Sequence, residues 1–177
     1  MENSTQIRSI SFPVIKGEQF DVFFNYHLNR IFCAKSHLHE RLPKLARQGN
    51  FQNMRHAIME TWVDIGNQIA RIEHIFILLN SRPSLNDCND LINFLESGFS
   101  SIFLYRERKS QSEFSILFYM SMIESVELTA FKLLEIAATK LPDESIRQLI
   151  KKSFDESKSD RRLFLEIAAN ISVTISI

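Results

Sequence analysis

The stretch FSILFYMSMIESVELTAFKLLEIAATK, residues 114–140, decides the fold. It holds neither Gly nor Pro and repeats apolar residues at helical spacing, which predicts a long buried helix. One face reads Leu117, Met120, Glu124, Glu127, Phe131, Leu134 and Ala138. Two carboxylates therefore stand in the middle of an apolar stripe, and successive turns aim both the same way. A buried carboxylate is costly unless it is paired, protonated or bound to a metal. The rest of the chain has to supply whatever meets these acids.

Outward from this helix, the chain punctuates itself clearly. Pro142 ends the central helix, and Asp143 caps the next one, with Glu144 favourable in its first turn. That last helix is expected to run to about Asn170 with an inner face of Leu149, Ser153, Glu156, Asp160, Leu163 and Ile167. Upstream, Glu18 to about Arg47 carries Phe24, Leu28, Ile31, Leu38, Leu42 and Leu45 at spacings of four and three, a packed face. The pattern demands a further member at position 35, where the residue is Lys35. A second helix, from about Phe51 to Asn80, shows an apolar face from Ile58 to Leu79, bordered by a polar row of Thr61, Asp64, Gln68 and Arg71. The short link at Gly49 and Asn50 makes these two an antiparallel pair. A shorter helix from about Leu85 to Arg106, interrupted at Gly98, crosses to the second pair.

The ends read differently. Residues 1–17 form an arm, in which Ile10, Phe12 and Val14 alternate as in an extended segment lying on a surface. Residues 171–177, ISVTISI, alternate throughout and read as a strand-like tail, with continuation of the last helix as the alternative. Residues 18–170 are the bundle.

Composition excludes several classes. Four Gly and four Pro in 177 residues suit long helices and not a many-turned β protein. Net formal charge is zero, from 21 basic and 21 acidic residues, and no basic block points to nucleic acid. No apolar run reaches the length of a bilayer span, and the opening MENSTQIRS is no secretory signal, so no membrane partner is expected. Cys33 and Cys88 lack metal-ligand spacing and are read as reduced thiols in a cytoplasmic protein, with a disulfide as the lesser alternative. There is no Gly-rich phosphate loop, no activated Ser or Cys nucleophile and no zinc spacing.

The inward acids Asp64, Glu124, Glu127, Glu156 and Asp160 are the ingredients of a carboxylate-bridged di-metal site in a four-helix bundle. The usual form adds two Glu-x-x-His motifs, and this sequence has none. All five histidines fall on the first two helices; His37 and His39 point to different faces and are expected to meet solvent.

At LPKLA (42–46), QIARIEHIF (68–76), LLNSRPSLNDC (78–88), IESVELTAF (123–131) and DESKSDRRL (155–163), the chain resembles the YciE/YciF-type branch of the ferritin-like superfamily. The resemblance covers roughly residues 18–170. It implies an all-α, ferritin-like four-helix bundle of two antiparallel pairs with a shorter crossing helix. It further implies a frequent dimer, a link to bacterial stress response and no defined activity. Against the family pattern, Lys35 replaces a Glu, Thr61 and Asp64 replace a His and a Glu, and Ser125 replaces a His. Glu124, Glu127, Glu156 and Asp160 are kept.

The expected outcome is a vacated metal site in which the Lys35 ammonium supplies the positive charge, with some acids protonated or paired with Arg71. A non-enzymatic structural or interaction protein without cofactor is the leading reading. An iron or manganese oxidoreductase using the five acids is the alternative, and a plain bundle with misjudged faces the third. Phe99 and Phe103 on the crossing segment are candidates for a homodimer surface.

Overall fold

A computed structural model describes residues 17–86, 88–103 and 108–174. Five α-helices follow one another: α1 Glu18–Ala46, α2 Arg55–Leu78, α3 Asn89–Ile102, α4 Lys109–Ala138 and α5 Glu144–Thr174. No strand occurs among the described residues, so the expected all-α class holds. The N-terminal arm lies outside the described residues, apart from Gly17.

Helices α1 and α2 pair antiparallel, as seen where Trp62 stacks on His39 at 4.9 Å and Phe76 meets Phe32 at 6.3 Å. Helices α4 and α5 do the same: Arg161 Nε donates to Ser125 Oγ at 2.9 Å, and Lys132 lies over the Phe154 ring at 5.6 Å. Crossing between the pairs, α3 packs Leu95, Phe99 and Ile102 into the core.

Local chemistry sets the helix limits. Asp143 Oδ1 accepts from the Ser145 backbone N–H at 2.9 Å, the expected cap of α5. Asn80 takes φ 50° and stops α2, with the Ser81 N–H closing back on the Phe76 carbonyl at 2.9 Å.

Several expectations are corrected. Residues Gly49–Met54 form a 3-10 segment where α2 was expected to start; Phe51 departs from helical geometry (φ −112°, ψ 21°) and sinks its ring into the core. α3 begins four residues later than expected, and Gly98 does not divide it. Instead, Gly98 admits Tyr119: a Cβ there would lie 1.7 Å from Tyr119 Cε2. Through Thr174 the tail follows the alternative reading, because α5 continues to that residue; residues 175–177 lie outside the described residues. Phe99 is buried, not a surface residue. Cys33 and Cys88 are not free thiols but bridge α1 to the residue preceding α3, with Cα atoms 6.2 Å apart. Both sulfurs belong to the interior, since residues 79–86 fold back against α1, where Asn29 Oδ1 accepts from the Ser84 N–H at 2.7 Å.

Among the described residues, one helix, spanning Gln111–Ala138, is long and apolar enough to cross a membrane by length and composition, with mean hydropathy 1.3. Its individual apolar runs are short, so the sequence reading missed it. In this fold much of that apolarity faces the core, through Ile116, Leu117, Met120, Ile123, Phe131 and Leu134.

Two apolar clusters fill the bundle. One gathers Leu38, Leu42, Ile58, Ile65, Met120 and Phe164; the other gathers Phe24, Leu28, Ile72, Phe76, Phe131 and Ile150. Between them lies a polar layer.

Candidate functional site

Four helices supply that layer. α1 contributes Lys35, α2 Thr61, Gln68 and Arg71, α4 Glu124 and Glu127, and α5 Ser153, Ser157 and Asp160, all buried. The predicted stripes of α1 and α4 deliver their polar members inward with no rotation. All seven α4 positions from Leu117 to Ala138 are buried, as is Lys35 in line with its six apolar companions. The α5 face is turned by one residue from the expected one. Its buried seam is Ile146, Ile150, Ser153, Ser157, Asp160 and Phe164, which leaves Leu149, Glu156 and Leu163 at the margin.

Lys35 is 0 % exposed. Its Nζ donates to Glu127 Oε2 in a buried ion pair and lies 5.8 Å from the centroid of the Phe131 ring. Burial lowers the lysine pKa, but the charges of Glu127, Glu124 and Asp160 outweigh it and leave it raised, so the ammonium form persists. Glu124 is driven the other way. Burial lifts its pKa well above the carboxylate range, and the Lys35 charge offsets only part of that. Burial and the nearby Asp64 charge push Asp160 to about 7. Beside the Lys35 ammonium, the layer therefore holds carboxyls at Glu124 and Asp160 that burial favours in their neutral form.

Hydrogen bonding agrees with protonation. Both oxygens of Glu124 and one each of Glu127 and Asp160 are buried without a partner among the described residues. A neutral carboxyl is far cheaper to leave in that state than a carboxylate.

The expected constellation divides into parts. Glu124, Glu127 and Asp160 surround Lys35. Glu156 instead receives a two-pronged hydrogen bond from Arg71, through Nη1 at 3.1 Å and through Nη2, while Arg71 Nε donates to Ser153 Oγ at 3.3 Å. Asp64 is only half-buried and acts on Asp160 through its charge. Sequence reasoning missed Ser157, which accepts from Gln68 Nε2 at 3.4 Å. The four-and-three spacing back from Phe164 was the signal that could have found it. The histidines stay apart, as expected; His27, His56 and His74 are exposed, whereas His37 and His39 are half-buried. His37 Nε2 meets Glu96 Oε1 at 2.6 Å, and His39 stacks on Trp62.

The residues do not fit a di-metal centre. Among the described residues, no group of three or more His, Cys, Asp or Glu is placed to hold a metal ion. The centre of the acids is taken by an ammonium, which repels a divalent cation and offers no lone pair.

Residues 19–174 match a family described as a domain of unknown function, DUF892. The chain belongs to the DUF892 family. Among solved structures, the Escherichia coli stress protein YciF shares the fold with a TM-score of 0.81 and 19 % identity, over 90 % of this chain and 100 % of that one. YcfI of Rhodopseudomonas palustris gives a TM-score of 0.73 at 19 % identity, over 89 % and 96 % of the two chains. At this identity the likeness is one of fold. No protein of curated function matches this DUF892 chain. The YciE/YciF resemblance read from the sequence is thereby upheld.

Proposed function

We propose that this DUF892 protein is a non-enzymatic bundle with a structural or interaction role in bacterial stress response. In this reading Lys35 occupies the place where ferritin-like relatives carry metal. One observation carries the reading: a fully buried ammonium hydrogen-bonded to Glu127 among Glu124 and Asp160. A permanent internal cation replaces the charge a metal would supply, and so removes the redox chemistry with it. The stress context rests on the fold shared with YciF, which is named as a stress protein.

We also propose that the protein forms a homodimer in the cytoplasm. The partner surface would be the outward stripe of α4, where Phe118 is 70 % and Leu133 63 % exposed, with Val126 and Ile136 between and beyond. A contiguous apolar stripe of this kind marks an interaction surface. The Cys33–Cys88 bridge weighs against a reducing compartment, and thiol counting on protein quenched at cell lysis decides the placement.

The test of the metal reading is metal content by mass spectrometry after incubation with iron or manganese, using protein purified without a chelating tag. Wild type is expected empty, and Lys35→Glu is expected to load metal on the four carboxylates then facing one another. Near-stoichiometric metal in wild type overturns the reading and directs attention to an iron or manganese oxidoreductase.

A further inference from the structure

Residues 79–86 run from the end of α2 toward α3 without a buried residue among them. Apolar packing therefore does little to fix this segment on α1. Two side-chain contacts with α1 hold it: the Ser84 N–H donates to Asn29 Oδ1 at 2.7 Å, and Ser81 Oγ donates to Asn25 Oδ1 at 2.8 Å. The Cys33–Cys88 bridge adds a covalent hold just beyond the segment. A stretch with few buried contacts opens at low cost, so the state of the bridge decides how firmly it is clasped. Opening also gives small thiols and oxidants a path to two sulfurs that are buried in the closed form.

The surroundings of the sulfurs suit both oxidation states. The Ser84 carbonyl oxygen lies 3.3 Å from Cys33 Sγ, and the Asn86 carbonyl oxygen 3.4 Å from Cys88 Sγ. Asn29 Nδ2 lies 3.9 Å from each sulfur. After reduction each S–H has an acceptor in reach and each sulfur a donor, so the dithiol strands no buried polar group. A bridge serving only as a staple has no use for those acceptors. Cys88 also occupies the N-cap position of α3, where the helix end stabilises a thiolate. Its sulfur is therefore the better leaving group when the bridge is attacked.

We infer that Cys33 and Cys88 form a reversible redox switch. Oxidised, they clasp residues 79–86 and the start of α3 to α1; reduced, they release that segment while the bundle stays folded. Reduction by a dithiol begins with thiolate attack on Cys33 Sγ, which breaks the S–S bond and expels the Cys88 thiolate. The second thiol of the reductant then attacks its own mixed-disulfide sulfur, frees Cys33 and departs as a cyclic disulfide. In the return step the Cys88 thiolate attacks hydrogen peroxide and breaks its O–O bond. A sulfenic acid forms, and the hydroxide released takes up a proton as water. The Cys33 sulfur displaces the sulfenic hydroxyl as a second water, and the S–S bond forms again.

The full chain is tested in native buffer with dithiothreitol and then, after its removal, with hydrogen peroxide. Alkylation followed by mass spectrometry counts the thiols, and circular dichroism follows helicity. Starting from the bridged form, without free cysteines, both thiols are expected to appear with helicity kept and to disappear again with peroxide. Amide exchange at Ser84, followed by NMR, is expected to run on the order of tenfold faster in the dithiol form. Thiols that appear only in denaturant, or only as helicity is lost, would overturn the inference and leave a structural staple. Sulfinic or sulfonic acids formed by peroxide in place of the bridge would overturn it too. So would equal Ser84 exchange in the two forms, because the bridge would then hold nothing that its loss releases.

Discussion

Lys35 sits where the α1 pattern calls for an apolar residue, and its energetics depend on its partners. Removing one member of a buried ion pair leaves the other charge stranded, whereas removing both can be neutral or better. Lys35→Met is therefore expected to destabilise the fold by about 3–5 kcal/mol. The double variant Lys35→Met, Glu127→Met should recover most of that loss, as read by urea unfolding at pH 7. A double variant as unstable as the single one would show that the pair is not the interaction at stake. Asp160 gives a second prediction. Its native pKa of about 7 lies above the ordinary 3.8, so between those values the folded protein holds a proton that the unfolded chain releases. Stability must then fall as pH rises through that window, by at most about 1.4 kcal/mol per pH unit from this group. Glu124, also raised, acts in the same direction. Asp160→Asn should flatten the stability profile between pH 5 and 7 and gain most at pH 8. A wild-type profile that rises over that range would contradict the assignment.

Two joints hold neighbouring elements together. α3 crosses α4 at Gly98, against the Tyr119 ring, and the Tyr119 hydroxyl donates to the Leu95 carbonyl. Gly98→Ala forces that ring aside, and is expected to cost about 1–3 kcal/mol as overpacking, despite the better helix propensity of alanine. Calorimetry of the variant checks this; an unchanged or higher melting temperature would mean that Tyr119 moves freely. The Cys33–Cys88 bridge ties α1 to the start of α3 across a sequence separation of 55. Closing a loop of that length is expected to contribute about 4 kcal/mol through the unfolded chain, so unfolding with and without reductant should differ by that order. At this scale the sequence was largely readable. Each helix announced itself through periodicity, Pro142, Asp143 and the Gly49–Asn50 break. The α5 face was misjudged by one residue because serines at 153 and 157 carry no hydropathy signal, so the seam had to be guessed from its flanks.

At the scale of the whole molecule, the two apolar clusters are held apart by one polar layer, and an exposed apolar stripe lies on the outside of the central helix. Phe118→Ser with Leu133→Ser should convert a dimer to a monomer in light scattering while leaving helicity unchanged, because both side chains project away from the core. A wild-type protein that is monomeric at high concentration would remove the basis for that surface.

Sequence alone determined the helices, their antiparallel pairing and the inward direction of Lys35, Glu124 and Glu127, because helical period and apolar spacing are local properties of the chain. It also showed that the histidines needed for a metal centre are missing from the last two helices. Only the tertiary structure decided which acids meet the ammonium, since that depends on the rotation of α5 against α2 and α4. That rotation sends Asp160 toward Lys35 and Glu156 to Arg71. It decided the disulfide as well: two cysteines 55 residues apart become neighbours only when residues 79–86 fold onto α1, a contact that no periodicity records.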